Sequence, residues 1–219
     1  MKHILIYGDS NSWGYDVTRY LPEINAYQRM TEDERWPGLV RTMLGPGYRV
    51  IEDALNGRTT LQEDPYLPNR NGLMGLRIAL DANAPLDLVV IMLGTNDCKR
   101  KFAYSMQDIS WGMERFLQKV LTHRQYASMT EYRVLLVAPP PMNEGLMHSW
   151  LGDLFEYEAG LRKSRALAKW FAELARRYNI DFLDAGQHCE SSPLDGVHLD
   201  AENQRKLGLA VADYVRSIK

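Results

Sequence analysis

The chain has 219 residues, of which 45% are hydrophobic, 25% charged and 10% aromatic, and its 26 Lys and Arg against 28 Asp and Glu leave a formal charge of −2. These values describe a soluble globular chain and exclude a disordered, collagen-like or coiled-coil one. Without a basic run there is no electrostatic footprint for nucleic acid or an anionic membrane surface, so neither is expected as a partner. At this length roughly 70% of the unfolded surface can be buried around one core, and a single domain over residues 1–219 is expected.

Residues 4–7 open the chain as a short apolar strand; the run is too short, and lacks the small-residue cleavage site, for a signal peptide. A long loop is expected over 9–35, a short helix over 37–44 and a second strand over 48–51. Another long loop, 53–71, leads to a short helix over 73–80. Residues 86–93 (Leu-Asp-Leu-Val-Val-Ile-Met-Leu) are almost continuously apolar, as in a strand covered on both faces. A loop over 94–104 precedes a helix in which Met106, Ile109, Met113, Phe116, Leu117 and Val120 share one face, with Ser105 as its N-cap. A fourth strand is expected over 132–138, followed by a loop to residue 150 and one long helix from Leu154 to Tyr178. The fifth strand covers 180–183. After a loop over 184–199, Asp200 caps a last helix marked by Leu207, Ala210, Val211, Tyr214 and Ile218. Strands alternating with helices imply a parallel sheet covered on both sides. The long loops all follow strands, at the sheet edge where open α/β folds bind ligands.

Two cysteines, Cys98 and Cys189, exclude a disulfide framework, and five histidines (His3, His123, His148, His188 and His198) show no metal-type pairing. No metal or cofactor is expected. No apolar run approaches the ~20 residues of a membrane span, and the chain reads as cytoplasmic.

Four short segments carry groups suited to chemistry. Gly8-Asp9-Ser10-Asn11-Ser12 follows the first strand, where a serine on a tight turn exposes its hydroxyl to main-chain N–H dipoles. The plainer reading makes Asp9 or Ser10 a helix N-cap. Asn56-Gly57-Arg58 offers a glycine N–H open to close approach, or an ordinary turn. Gly94-Thr95-Asn96-Asp97 supplies an amide donor, or an Asx-turn. In Asp195-Gly196-Val197-His198 the three-residue spacing lets a carboxylate reach the imidazole Nδ1–H and leave Nε2 as a base.

Together, and in this order, these segments resemble the GDSL/SGNH hydrolase family over nearly the whole chain. The similarity is greatest to its bacterial aryl-esterase and acyltransferase (perhydrolase) branch, through residues 8–14, 56–60, 91–97 and Ala138-Pro139-Pro140-Pro141. Asn56-Gly57 departs from the Ser-Ala of that branch, but a main-chain donor survives the change. The resemblance implies a flavodoxin-like three-layer α/β/α sandwich with a five-stranded parallel sheet. It implies acyl transfer in which Ser10 attacks an ester carbonyl, His198 takes its proton, and Asp195 orients the imidazole. The N–H groups of Ser10 and Gly57 and the amide of Asn96 would meet the oxyanion.

The implied activity is hydrolysis of short-chain or aryl carboxylic esters, with transfer to alcohols or peroxide. Carbohydrate acetylesterase, thioesterase and lysophospholipase activities belong to the same family. A non-catalytic flavodoxin-like binding module is the alternative of another class, but no GxGxxG or GxxxxGK[ST] loop supports it. Trp13, Arg58 and Trp150 are candidates for substrate binding, with Leu93, Met142 and Leu146 as further apolar material for the acyl site. Asp9 and Asp97 are rival carboxylates for the histidine, and His188, Cys98 and Cys189 are demoted for want of a partner. The branch forms homo-oligomers, commonly octamers. Segments 15–35, 66–72 and 142–150, rich in aromatic, Met and Pro residues, have a composition that fits subunit contacts.

Overall fold

Five of the apolar runs pair side by side in a computed structural model that describes residues 1–21, 23, 26–126 and 131–218. The first strand, β1 (Lys2–Gly8), leads through a one-turn helix, α1 (Ser10–Trp13), into an antiparallel hairpin of β2 (Tyr15–Leu21) and β3 (Ala26–Arg29). Then come α2 (Trp36–Leu44), β4 (Tyr48–Ala54), α3 (Gly72–Asn83), β5 (Leu88–Met92), α4 (Met106–Tyr126) and β6 (Arg133–Ala138). The chain closes with α5 (Gly152–Phe155), α6 (Glu158–Tyr178), β7 (Asp181–Asp184) and α7 (Ala201–Ser217). The large sheet has the order β4-β1-β5-β6-β7 with every neighbouring pair parallel.

Counted among the sheet's own strands this is the 2-1-3-4-5 order of flavodoxin-like folds. Alternation along the strands sorts the core into two layers. Leu5, Tyr7, Val89, Ile91, Val134 and Leu136 pack under α3, α4 and α6. Ile4, Ile6, Val90, Met92, Leu135 and Val137 face α2 and α7. The result is a three-layer α/β/α sandwich.

The capping residues behave as their chemistry requires. Asp200 accepts from the Asn203 N–H at the start of α7. Ser105 Oγ accepts from the Asp108 N–H while the Asp108 carboxylate accepts from the Ser105 N–H, a reciprocal box ahead of α4.

Two expectations fail. The 9–35 segment contains the β2–β3 hairpin, whose residues are half-buried or exposed apart from Asp16, so no strong apolar alternation announces it. Asp16 anchors it by accepting from the N–H and hydroxyl of Thr18 and pairing with Arg19. Residues 22, 24 and 25 of that segment lie outside the described residues. The helix expected from 154 to 178 is broken at Glu156 and Tyr157, both at positive φ (61° and 47°). There the Tyr157 N–H turns back to the Gly152 carbonyl at 2.9 Å and Phe155 drops into the core. Apolar spacing is continuous across the break, so periodicity does not reveal it.

Candidate active site

The connections leaving β1 and β5 run to opposite faces of the sheet, which opens a crevice beyond their carboxyl ends. Ser10 leaves β1 into that crevice and Asn96 leaves β5. Gly8 permits the tight exit, because a Cβ there would lie 2.1 Å from Ser12 Oγ. Asp9, not Ser10, caps the short helix, accepting from the Asn11 N–H at 3.0 Å. The Ser10 hydroxyl is therefore left for another partner.

That partner is His198, whose Nε2 lies 3.0 Å from Ser10 Oγ, while its Nδ1 lies 2.6 Å from Asp195 Oδ2. An ionised carboxylate only accepts, so Nδ1 carries the proton and the bare Nε2 accepts from the serine O–H. Burial acts to raise the Asp195 carboxyl. The Nδ1–H bond and the N–H groups of His198 and Val197, both 2.9 Å from Oδ1, outweigh it and hold the group below its ordinary value. The turn that aligns these atoms needs Gly196 at φ 76°, where a Cβ would meet the Leu146 nitrogen at 2.1 Å.

Asn11 clamps the serine and histidine loops together. Its Nδ2 donates to the Val197 carbonyl at 3.2 Å and its Oδ1 accepts from the Leu199 N–H at 2.9 Å. Tyr15, at the start of the unexpected hairpin, stacks on the imidazole with centroids 4.1 Å apart and planes at 24°. Asn11 lies within the serine motif, which assigns it no role, and Tyr15 lies outside every motif.

Gly57 and Asn96 line the same cavity as Ser10. The Asn96 Nδ2 donates to the Arg58 carbonyl at 3.1 Å and points toward Asp9 Oδ2 at 3.5 Å. Next to it, Asp97 is locked by the Thr60 hydroxyl and N–H, so it does not orient the histidine. Burial raises both Asp9 and Asp97 to about 6.

The cavity has a volume of about 330 Å³. Its apolar wall is Tyr66, Leu67, Trp150, Leu151, Leu154 and Phe155. Of the three candidate binding residues, only Trp150 lies on it. Trp13 instead sits under the Arg29 guanidinium at 5.2 Å. Arg58 is buried, donating to the Gly8 and Asp53 carbonyls and the Asp53 carboxylate, with its guanidinium over the Tyr7 ring. It braces the ends of β1 and β4. Leu93, Met142 and Leu146 belong to the core.

His188 is an exposed surface residue. Both cysteines are buried, which raises their thiols, Cys189 to about 12 and Cys98 further. Neither is a thiolate near neutral pH. Among the described residues no cluster of His, Cys, Asp or Glu is arranged to hold a metal ion, and no helix is long and apolar enough to cross a membrane.

Residues 6–206 match the model of the GDSL-like Lipase/Acylhydrolase family. No curated protein matches the sequence significantly. Among solved structures, the native aryl esterase of M. smegmatis is 38% identical over 100% of both chains, with a TM-score of 0.90. A carbohydrate acetylesterase from Sinorhizobium meliloti is 35% identical over 100% of both chains, with a TM-score of 0.88. A lipase/acylhydrolase from Enterococcus faecalis shares the fold at 19% identity and a TM-score of 0.68, over 99% of this chain and 96% of that one. With the family match spanning most of its length, the chain belongs to the GDSL-like lipase/acylhydrolase family.

Proposed function

We propose that this chain is a serine esterase that cleaves short-chain or aryl carboxylic esters through an acyl-enzyme on Ser10. The observation that carries the reading is the run of contacts from Asp195 through His198 to Ser10, at 2.6 and 3.0 Å, opening on one cavity. Ser10 Oγ attacks the ester carbonyl as its proton passes to His198 Nε2, and Asp195 stabilises the imidazolium. The oxyanion is met by the Ser10 and Gly57 N–H groups and by the Asn96 amide, donors fixed before charge develops. Collapse expels the alcohol with the proton from Nε2, and water then releases the acid by the same steps. A cavity near the lower end of ligand-site volumes suits acetyl and aryl groups, in keeping with the aryl esterase and acetylesterase names of the similar structures.

Asn96→Ala is expected to lower kcat for 4-nitrophenyl acetate by about 10²–10³ with a smaller change in KM. A change in KM alone would make Asn96 a binding or turn residue.

The apolar wall also supports transfer of the acyl group to an alcohol or peroxide, which competes with water only where the acceptor is bound and bulk solvent is excluded. Product partitioning from vinyl acetate with added benzyl alcohol tests this. Benzyl acetate should form, and acetate as the sole product at every alcohol concentration would leave a plain hydrolase. Exposed Tyr66 and Trp150 beside the cavity fit a homo-oligomer whose neighbouring subunits narrow its mouth. Light scattering after size exclusion should give a particle larger than the monomer; a monomer at micromolar concentration would refute it.

A further inference from the structure

We propose that the cavity beside Ser10 takes esters carrying a second, carboxylate group, held by Lys99, Lys101 and Arg70. This rests on the esterase reading above and names the substrate class it favours. The formally charged side chains on the cavity wall are these three cations, and no carboxylate lines it among the described residues.

Lys99 is only 5% exposed. Among the described residues no carboxylate reaches it at ion-pair distance, and its ammonium is left to the cavity that it lines. Burial and the neighbouring Lys101 push Lys99 down to about 8, while Asp64, Asp9 and Asp97 act the other way, so it remains largely charged at pH 7. Those three carboxylates lie behind the wall rather than on it. Lys101 is paired with Asp64 and held beside the rings of Tyr66 and Phe102. Arg70 is oriented by its Nη1 bond to the Pro68 carbonyl, and its Nε is buried without an acceptor. An anion in the cavity would give Lys99 a partner, while Arg70, whose Nε is enclosed, adds its charge from the wall, in a region whose low polarity strengthens the contact.

Steady-state rates on paired substrates test this. The pair 4-acetoxybenzoate and its methyl ester puts the charge in the leaving half. The pair mono-4-nitrophenyl succinate and its methyl ester puts it in the acyl half. Each rate is divided by that of the uncatalysed reaction. In at least one pair the carboxylate form should be preferred about tenfold or more in kcat/KM, the range of a charge-assisted hydrogen bond. The preference should fall toward unity in Lys99→Met and shrink in high salt.

A wild-type preference for the neutral ester in both pairs, or one left intact in Lys99→Met, would overturn the proposal. Equal losses on neutral and anionic esters in that variant would also overturn it, because they would make Lys99 a general support of the oxyanion. Should Lys99→Met not fold, inhibition of the wild-type enzyme decides: benzoate should bind more tightly than benzamide, and the reverse order overturns the subsite. Failure to hydrolyse 4-nitrophenyl acetate would reject the esterase reading itself, whereas hydrolysis without an anion preference rejects only the subsite.

Discussion

Ser10→Ala should lower kcat for 4-nitrophenyl acetate by about 10⁶-fold, the loss seen when a triad nucleophile is removed. In the proposed mechanism the substitution deletes the atom that forms the acyl bond and leaves the oxyanion donors in place, so residual catalysis of about 10³–10⁴ over water should remain. The fold should survive, because the α1 cap is the Asp9 carboxylate and Ser10 is bonded through its side chain to His198. His198→Ala should fall by a similar factor. The double variant should be little worse than either single one, because the two groups act in one proton transfer. Far-ultraviolet circular dichroism with the rate measurement separates chemistry from folding. Wild-type turnover in a folded Ser10→Ala protein would remove the nucleophile from the account.

Asp195→Asn is expected to cost about 10⁴ in kcat while leaving the loop intact. The wild-type Oδ1 accepts two main-chain N–H groups and Oδ2 accepts the Nδ1–H of His198. An asparagine can keep the first pair through its carbonyl oxygen. Its NH₂ group then faces Nδ1 and must donate. The imidazole answers by placing its proton on Nε2, where it can no longer take the serine proton. The effect should therefore appear in kcat far more than in the melting temperature. A loss below about tenfold would mean that the histidine is oriented by other contacts, of which the Tyr15 stack is the foremost.

Much of this architecture is legible in the sequence because burial on both faces leaves strands with almost no polar residues. The run at 86–93 shows this, and its observed strand is Leu88–Met92. The β2–β3 hairpin is not legible, since its side chains lie at the surface and its anchor is one buried aspartate rather than an apolar stripe. The break before α6 is hidden for the opposite reason, because its apolar spacing continues through a turn imposed by tertiary packing.

At the site, the short motifs point to Ser10, Gly57, Asn96, Asp195 and His198; the structure places Ser10, Gly57, Asn96 and His198 on one cavity and Asp195 against the far side of the imidazole. What surrounds them depends on contacts between loops far apart in the chain. Asn11 reaches Val197, Tyr15 reaches His198, and the three cations converge from two separate loops. Arg58 shows the limit from the other side. As a loop arginine beside a candidate donor it suggested contact with substrate, but its guanidinium is spent on β1 and β4.

Covalent labelling addresses the central claim most directly. A fluorophosphonate should react once per chain, abolish ester hydrolysis in proportion to labelling, and appear after proteolysis and mass spectrometry on Ser10. The same reagent should leave Ser10→Ala unlabelled. Complete inactivation with the phosphonyl group on a different residue, or labelled Ser10 with hydrolysis undiminished, would contradict an acyl-enzyme at that serine.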